Sequence, residues 1–222
     1  MTEDLGARIR QARMARGLSL RATAAEAAIS PSLLSQVETG KVQPSVSTLY
    51  AIVNCLGLSV DEVLGTPSAQ GGPRRRLRAD PVQRWDAAPE ILMENGVSWR
   101  GLAVSGGGDV DALHVTYDPG AASSLDGTHM RHDGVEYGYI IRGEITLKID
   151  FDSYVLRAGD SFCFDSMRPH FFFNHTDAVA EGVWFVTGQG RRDAAPDERP
   201  DVMRSAVDVL DAMSRIPGRS ED

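Results

Sequence analysis

The 222 residues are enough for two hydrophobic cores, and 42% hydrophobic with 24% charged residues is typical of a soluble globular protein. Since no apolar run approaches the roughly 18 residues of a membrane span and nothing at the amino end resembles a secretion signal, we expect a cytoplasmic protein without a membrane partner. The net charge of −8 is uneven: residues 1–78 hold ten Lys/Arg against six Asp/Glu (+4) and the rest hold 13 against 25 (−12), as in a nucleic-acid-binding module joined to an acidic one.

Residues 5–64 repeat apolar side chains three or four positions apart, which predicts a series of short helices. Serine and proline mark helix starts, and glycine marks helix ends. The marking residues are Ser19, Ser30, Pro31, Gly40 and either Ser45 or Ser47. We predict five helices in a first domain that spans residues 1–66.

The second and third predicted helices form a helix-turn-helix. The segments that carry this pattern are LSLR at 18–21, Ala24, Ile29–Ser30, LLSQVE at 33–38, Gly40–Lys41 and Pro44–Ser45. They resemble the phage-repressor-like, or XRE-type, DNA-binding domains. The resemblance implies that the third helix lies in the major groove and that Arg13 and Glu38 form an ion pair beneath it. Two positions depart from the family: Ala28 replaces a usual glycine and Thr23 a usual leucine.

A recognition helix in the major groove presents its amino-terminal part to the base edges. Gln36 can pair with an adenine through two hydrogen bonds, although a solvated polar helix face is the alternative. Because one such module covers only about 600–1,000 Å² on DNA, we expect a homodimer or higher homo-oligomer on a palindromic operator in double-stranded DNA. The candidate contacts are Pro31, Ser32, Ser35 and Gln36 to bases, and Thr39, Lys41 and Ser45 to phosphates.

Residues 67–80 have the composition of a linker. A Pro/Gly/Ser-rich stretch is followed by RRRLR at 74–78. The arginines can follow a phosphate backbone, pair with an acidic neighbouring domain or remain solvated, and the sequence does not choose between these.

Short strands separated by turn residues predict an antiparallel sandwich or barrel over residues 81–188. A small barrel of this kind can enclose one ligand. The predicted strands are 91–94, 97–104, 113–117, 137–141, 145–149, 154–156, 161–164, 170–174 and 182–187.

His132 and Glu136 are four residues apart, so on a strand both would face the same side. If the sheet curls so that His170 also faces inward, two histidines and a carboxylate converge. This set of side chains binds divalent ions such as Fe, Zn, Ni or Mn and leaves coordination positions open. The alternative is a hydrogen-bonded polar cluster without metal that lines an organic-ligand pocket.

The same stretch resembles the two signature motifs of the cupins. Matching residues are His132, Glu136 and Gly143 in the first motif, and Gly159, His170 and Asn174 in the second. Met130 stands where the first motif has another histidine, and His129 has the wrong parity to replace it. Asp165 and Met167 replace a proline and a glycine of the second motif. The resemblance implies a cupin barrel (double-stranded β-helix, or jelly roll) with a reduced ligand set.

The fold class predicted is therefore multidomain: a five-helix domain followed by an all-β barrel. Candidate pocket residues for a small-molecule effector are Met130, Tyr137, Arg168 and Asn174; Arg168 would either meet an anion or lie at a solvated rim. Residues 189–222 form a polar tail with one amphipathic helix, which needs either the barrel or a partner subunit to cover its apolar face.

Two functions fit this organisation. The module order and the segment GDSFCFDSMRPHFFFN at 159–174 resemble bacterial XRE–cupin transcriptional regulators, in which the barrel binds an effector. The mononuclear iron enzyme hydroxypropylphosphonate epoxidase shares the architecture and the spacing of His132, Glu136 and His170. We favour the regulator, because its recognition helix is intact, and we assign no catalytic residue.

Overall fold

The computed structural model describes residues 5–65, 81–103 and 110–188. Its first range contains α1 (Leu5–Ala15), α2 (Leu20–Glu26), α3 (Pro31–Glu38), α4 (Val46–Cys55) and α5 (Val60–Leu64). The prediction of five amino-terminal helices is confirmed. The predicted linker (67–80) and tail (189–222), with the arginine run, lie outside the described residues.

Serine caps set the starts of three helices. The hydroxyls of Ser19, Ser30 and Ser45 accept hydrogen bonds from backbone N–H groups in the first turns of α2, α3 and α4. Each bond satisfies one of the amide donors that a helix start leaves unpaired. Ser45 rather than Ser47 therefore begins α4, which settles the alternative that the sequence left open.

A buried ion pair fixes α1 against α3. Arg13 Nε lies 2.6 Å from Glu38 Oε1, and the second guanidinium nitrogen donates to the other carboxylate oxygen at 2.8 Å. Glu38 raises the pKa of Arg13 through this hydrogen bond. Gly6 allows the close approach, since a Cβ there would stand 2.2 Å from the carbonyl oxygen of Val37. The implied scaffold role of Arg13 and Glu38 is confirmed.

Two antiparallel sheets follow the helices. A six-stranded sheet has the order β1-β2-β3-β9-β4-β7, and a three-stranded sheet has the order β6-β5-β8. A short 3-10 turn at Trp85–Ala87 precedes them. The strands are β1 (Glu90–Leu92), β2 (Val97–Gly101), β3 (Val110–Tyr117), β4 (Val135–Arg142), β5 (Glu144–Ile149), β6 (Asp152–Arg157), β7 (Ser161–Asp165), β8 (His170–Phe173) and β9 (Ala180–Thr187).

Aromatic side chains fill the space between the sheets. Phe172, 1% exposed, makes ring contacts with Tyr117, Phe162 and Trp184 at centroid distances of 6.5, 5.4 and 5.6 Å. Such pairs add to the burial energy by about 0.5–1.5 kcal/mol each. The described helices include none long and apolar enough to cross a membrane.

The helical domain packs directly on the barrel. The backbone N–H of Ser47, in the first turn of α4, donates to the carbonyl of Ser123 at 2.9 Å. The N–H of Glu94 donates to the carbonyl of Pro44 at 3.2 Å. The sequence predicted only a flexible connection between two modules, and these bonds place α4 at the surface of the barrel.

Ala28, between α2 and α3, has a φ of +53°, in the left-handed region. Because a Cβ is disfavoured there, we expect Ala28→Gly to raise the free energy of unfolding by about 0.5–1 kcal/mol. Chemical denaturation measures this change. Ala25→Gly, at an exposed position in α2, is the control and should lower stability by about 1 kcal/mol. A destabilising Ala28→Gly would contradict the strain argument.

Candidate metal centre and nucleic-acid interface

The recognition helix α3 has one buried and one exposed face. Leu34 and Val37 are buried in the helical core, at 0% and 2% exposure. Pro31, in the first turn, is exposed. On the same outward side Ser32 and Gln36 are exposed and Ser35 is half-buried. The four residues predicted to face bases therefore share the solvent side of the helix.

The three predicted phosphate contacts differ in exposure. Lys41 is exposed. Thr39 is also exposed, and its hydroxyl donates to the carbonyl of Ser35 at 2.8 Å. Ser45 is only 6% exposed, and its hydroxyl caps α4. A buried capping hydroxyl is already used within the protein, so Lys41 and Thr39 are the exposed candidates of this set.

Three chain segments bring the proposed ligands together. Glu136 lies on β4 and His170 begins β8. His132 precedes β4, which starts at Val135, so it does not share a strand with Glu136 as predicted. The backbone N–H of His132 donates to the carbonyl of Ser166 at 3.1 Å, and this bond holds the His132 segment beside the end of β7. The predicted convergence of the three side chains is confirmed, by a different route.

The geometry of the cluster fits a divalent ion. Glu136 Oε2 lies 3.3 Å from His132 Nε2 and 3.4 Å from His170 Nε2. One ligand atom from each residue lies within 4.8 Å of the others, and the three residues are 1%, 3% and 0% exposed in chain order. Atoms that share an ion at about 2.1 Å stand roughly 3.0–3.4 Å apart in octahedral or tetrahedral geometry.

A hydrogen bond at Nδ1 of His170 leaves Nε2 of the same ring available for coordination. His170 Nδ1 lies 2.9 Å from the carbonyl oxygen of Arg168, so Nδ1–H donates and Nε2 keeps its lone pair toward Glu136. Burial lowers the pKa of His170 and favours the neutral form, which is the form that binds metals. Within the described ranges, Glu136 Oε2 and His170 Nε2 are buried without a hydrogen-bond partner. A cation would satisfy both atoms.

The predicted pocket residues have separate roles. Met130 is 6% exposed, lines the cavity and pairs its backbone with His170. Asn174 is buried, and its side-chain amide donates to the carbonyls of Tyr117 and Ala178 at 3.1 and 2.7 Å, so it holds loops together.

Two pocket predictions are wrong. Arg168 lies at the surface, where its guanidinium pairs with Asp150 at 2.7 Å. Tyr137 is 43% exposed on the outer sheet face. Because β4 alternates sides and Glu136 points inward, the next residue must point outward. His129, the histidine of unsuitable parity, packs against Phe171 and is outside the cluster.

A residue of the helical domain, not anticipated from the sequence, completes the site. The Tyr50 ring of α4 stacks on the His132 ring at a centroid distance of 4.1 Å and an interplanar angle of 5°. Tyr50 and Val46 also line the cavity beside Glu136, whose volume is about 10 Å³. A volume of this size holds about one water molecule.

The sequence matches two domain families, and most of its length is similar to a transcriptional regulator. Residues 4–64 match the helix-turn-helix domain family, and residues 113–186 match the cupin domain family. The HTH-type transcriptional regulator PuuR of Escherichia coli (strain K12) is 31% identical over 176 residues, which cover 78% of this chain and 89% of that protein. The match therefore includes both domains.

The solved structure of a transcriptional regulator shares the fold. An HTH_3 family transcriptional regulator from Vibrio cholerae superposes with a TM-score of 0.60 at 19% identity, over 84% of this chain and 96% of that one. Hydroxypropylphosphonic acid epoxidase from S. wedmorenis covers 84% of this chain and 98% of its own at 19% identity, with a TM-score of only 0.43. The second value is too low to carry a functional argument.

The metal site is tested by removing its carboxylate. We expect the wild-type protein to retain one Zn²⁺ or Mn²⁺ per chain after dialysis and Glu136→Gln to lose it, because an amide does not replace a charged ligand. The loss in affinity should exceed the roughly 10- to 100-fold typical of an outer-shell partner. His175→Ala, at an exposed histidine, is the control and should bind normally. Equal metal content in all three proteins, measured by mass spectrometry, would contradict the site.

Proposed function

Because the chain belongs to the helix-turn-helix transcriptional regulators that carry a cupin domain, we propose that it binds a palindromic operator through α3 and senses a divalent ion, with a small-molecule effector, in its barrel. The regulator would act in the cytoplasm, where a bacterial operator lies. The observation that supports the DNA contact is the exposed polar side of α3 on a scaffold fixed by Arg13 and Glu38.

The sensing role depends on the buried cluster. His132, Glu136 and His170 offer three ligands, and a bound ion would keep open positions for water or an effector. When bound, the ion would supply a positive charge that attracts an anionic or oxygen-bearing effector. The chain's own residues would orient that effector, since Met130, Trp99 and the aromatic side chains of the barrel enclose the remaining directions.

A second copy of the chain is the partner that this function requires. One helix-turn-helix module buries too little surface for specific binding, and a palindrome matches the two-fold symmetry of a dimer. The outer face of the large sheet offers a suitable surface. A group of exposed apolar side chains on this face consists of Tyr137, Tyr139, Ile141 and Phe185, 40–48% exposed. Tyr137 and Phe185 are cross-strand partners, so the patch is continuous.

The DNA contact is tested by two substitutions with different expected effects. Gln36→Ala should reduce the preference for operator over random DNA by about 1–3 kcal/mol, because a base contact is lost. Lys41→Ala should weaken binding to both sequences and reduce the salt slope by about one, because a phosphate contact is lost. Fluorescence anisotropy over a salt series measures both quantities. Unchanged sequence preference in Gln36→Ala would remove this residue from the interface.

The dimer face is tested by placing a charge on it. We expect Phe185→Glu to convert a wild-type dimer to a monomer, because a buried unpaired carboxylate is costly. Phe151→Glu, at a fully exposed phenylalanine outside this face, should remain a dimer. Light scattering gives the mass of each protein. A dimeric Phe185→Glu would place the interface elsewhere, and a monomeric wild-type protein would leave this face to another partner.

A further inference from the structure

Helix α4 of the DNA-binding domain holds one of the proposed metal ligands. Tyr50 is 4% exposed, and its ring lies parallel to that of His132 at 4.1 Å. Trp99 of β2 meets the Tyr50 ring edge-on at 5.4 Å and 66°. The Tyr50 ring therefore lies between Trp99 of β2 and the proposed ligand His132. It cannot shift without moving the His132 imidazole.

The same helix touches the ligand segment a second time. The side-chain amide of Asn54, one turn after Tyr50, donates to the carbonyl of Arg131 at 3.5 Å. Arg131 immediately precedes His132. At its other end α4 is tied to the barrel by the bond from Ser47 to Ser123. Two contacts thus join α4 to the ligand segment, and a third joins it to another part of the barrel.

Other residues of α4 belong to the core of the DNA-binding domain. Leu49, Ile52 and Val53 are fully buried there, together with Leu34 of the recognition helix. Because a close-packed core transmits displacement rather than absorbing it, a shift of α4 changes the position of α3. The helix therefore has one face in each domain.

We propose that Tyr50 is a positioning residue for His132 and that, through it, occupancy of the barrel site sets the placement of α4 and so the DNA affinity of the recognition helix. This inference rests on the proposed metal-dependent regulator. It deepens that proposal by naming the contact that joins sensing to DNA binding.

Two physical effects should make the strength of the Tyr50–His132 contact depend on whether the barrel site is empty or occupied. A metal ion withdraws electron density from the imidazole that it coordinates, and an electron-poor ring stacks more strongly on the electron-rich face of tyrosine. Metal binding should therefore tighten α4 against the barrel. An organic effector should do the reverse, because the cavity of about 10 Å³ is walled by Tyr50 and Val46, and a larger molecule must displace them.

Coupling of this kind is reciprocal. If Zn²⁺ changes the affinity of the protein for its operator by some factor, the operator must change the affinity for Zn²⁺ by the same factor. Loss of the Tyr50–His132 stack should therefore reduce the effect of Zn²⁺ on operator affinity and the effect of the operator on Zn²⁺ affinity together. A residue with a merely structural role would change stability and leave the coupling between the two ligands intact.

The test compares full-length Tyr50→Leu and Tyr50→Phe with the wild-type protein. Phenylalanine keeps the stacked ring and is the matched control, whereas leucine keeps apolar volume without a π face. We expect Tyr50→Leu to bind Zn²⁺ about 3- to 10-fold more weakly in competition with a chromogenic chelator. We also expect its operator affinity to lose most of its response to Zn²⁺. In both measurements Tyr50→Phe should stay much closer to the wild type than Tyr50→Leu does, because it keeps the stacked ring.

Hydrogen exchange on the wild-type protein gives a readout that does not depend on folding of a variant. Zn²⁺ should slow exchange of amides in the first turn of α4, including Ser47, and should not affect α1 to the same degree. Unchanged exchange in α4, or a Tyr50→Leu protein that retains wild-type Zn²⁺ affinity and DNA response, would overturn the inference. A wild-type protein that binds operator but no divalent ion would instead refute the proposed metal sensing, and the inference with it.

Discussion

The burial of Glu136 between two buried histidines is the constraint on which the barrel depends. A carboxylate that is 3% exposed is costly unless a cation or donors compensate it, and removing a single partner leaves the charge uncompensated. The three residues come from separate segments of the chain, so their meeting requires both sheets to be closed. The backbone bonds from His132 to Ser166 and from Met130 to His170 hold those segments in register around the carboxylate.

The position of α4 places the core of the DNA-binding domain close to the proposed metal ligands of the barrel. In a regulator with two modules on a flexible tether, a ligand in one module has no contact through which to bias the other. In this chain the two domains are also joined by direct hydrogen bonds. The N–H of Val60, at the start of α5, faces the carboxylate of the buried Asp111 at 3.3 Å, and Ser47 bonds to Ser123. The two cores meet along these contacts, which provide the physical connection that the proposed coupling requires.

Local chemistry made much of this structure predictable from the sequence. The caps at Ser19 and Ser30 and the alternation of the barrel strands depend on near neighbours, and the spacing of His132, Glu136 and His170 follows a known motif. Tyr137 was misplaced although the signal was available, since the residue after an inward Glu136 must face outward. Tyr50 could not be found in this way. It sits in an ordinary apolar helix pattern, and its partner lies in the other domain.

The presence of Met130 in place of a motif histidine affects the proposed effector site. Met130 occupies the place of a fourth ligand, is buried at 6% exposure and lines the same cavity as Tyr50. A thioether is a poor ligand for hard divalent ions, so Met130 adds apolar surface to the cavity rather than a fourth ligand. In the proposed metal-bound state, three protein ligands would leave coordination positions open, and an effector that used them would share the cavity with Tyr50. Under the proposed function, an effector that coordinates the ion would therefore lie against the helix that carries the DNA-binding core.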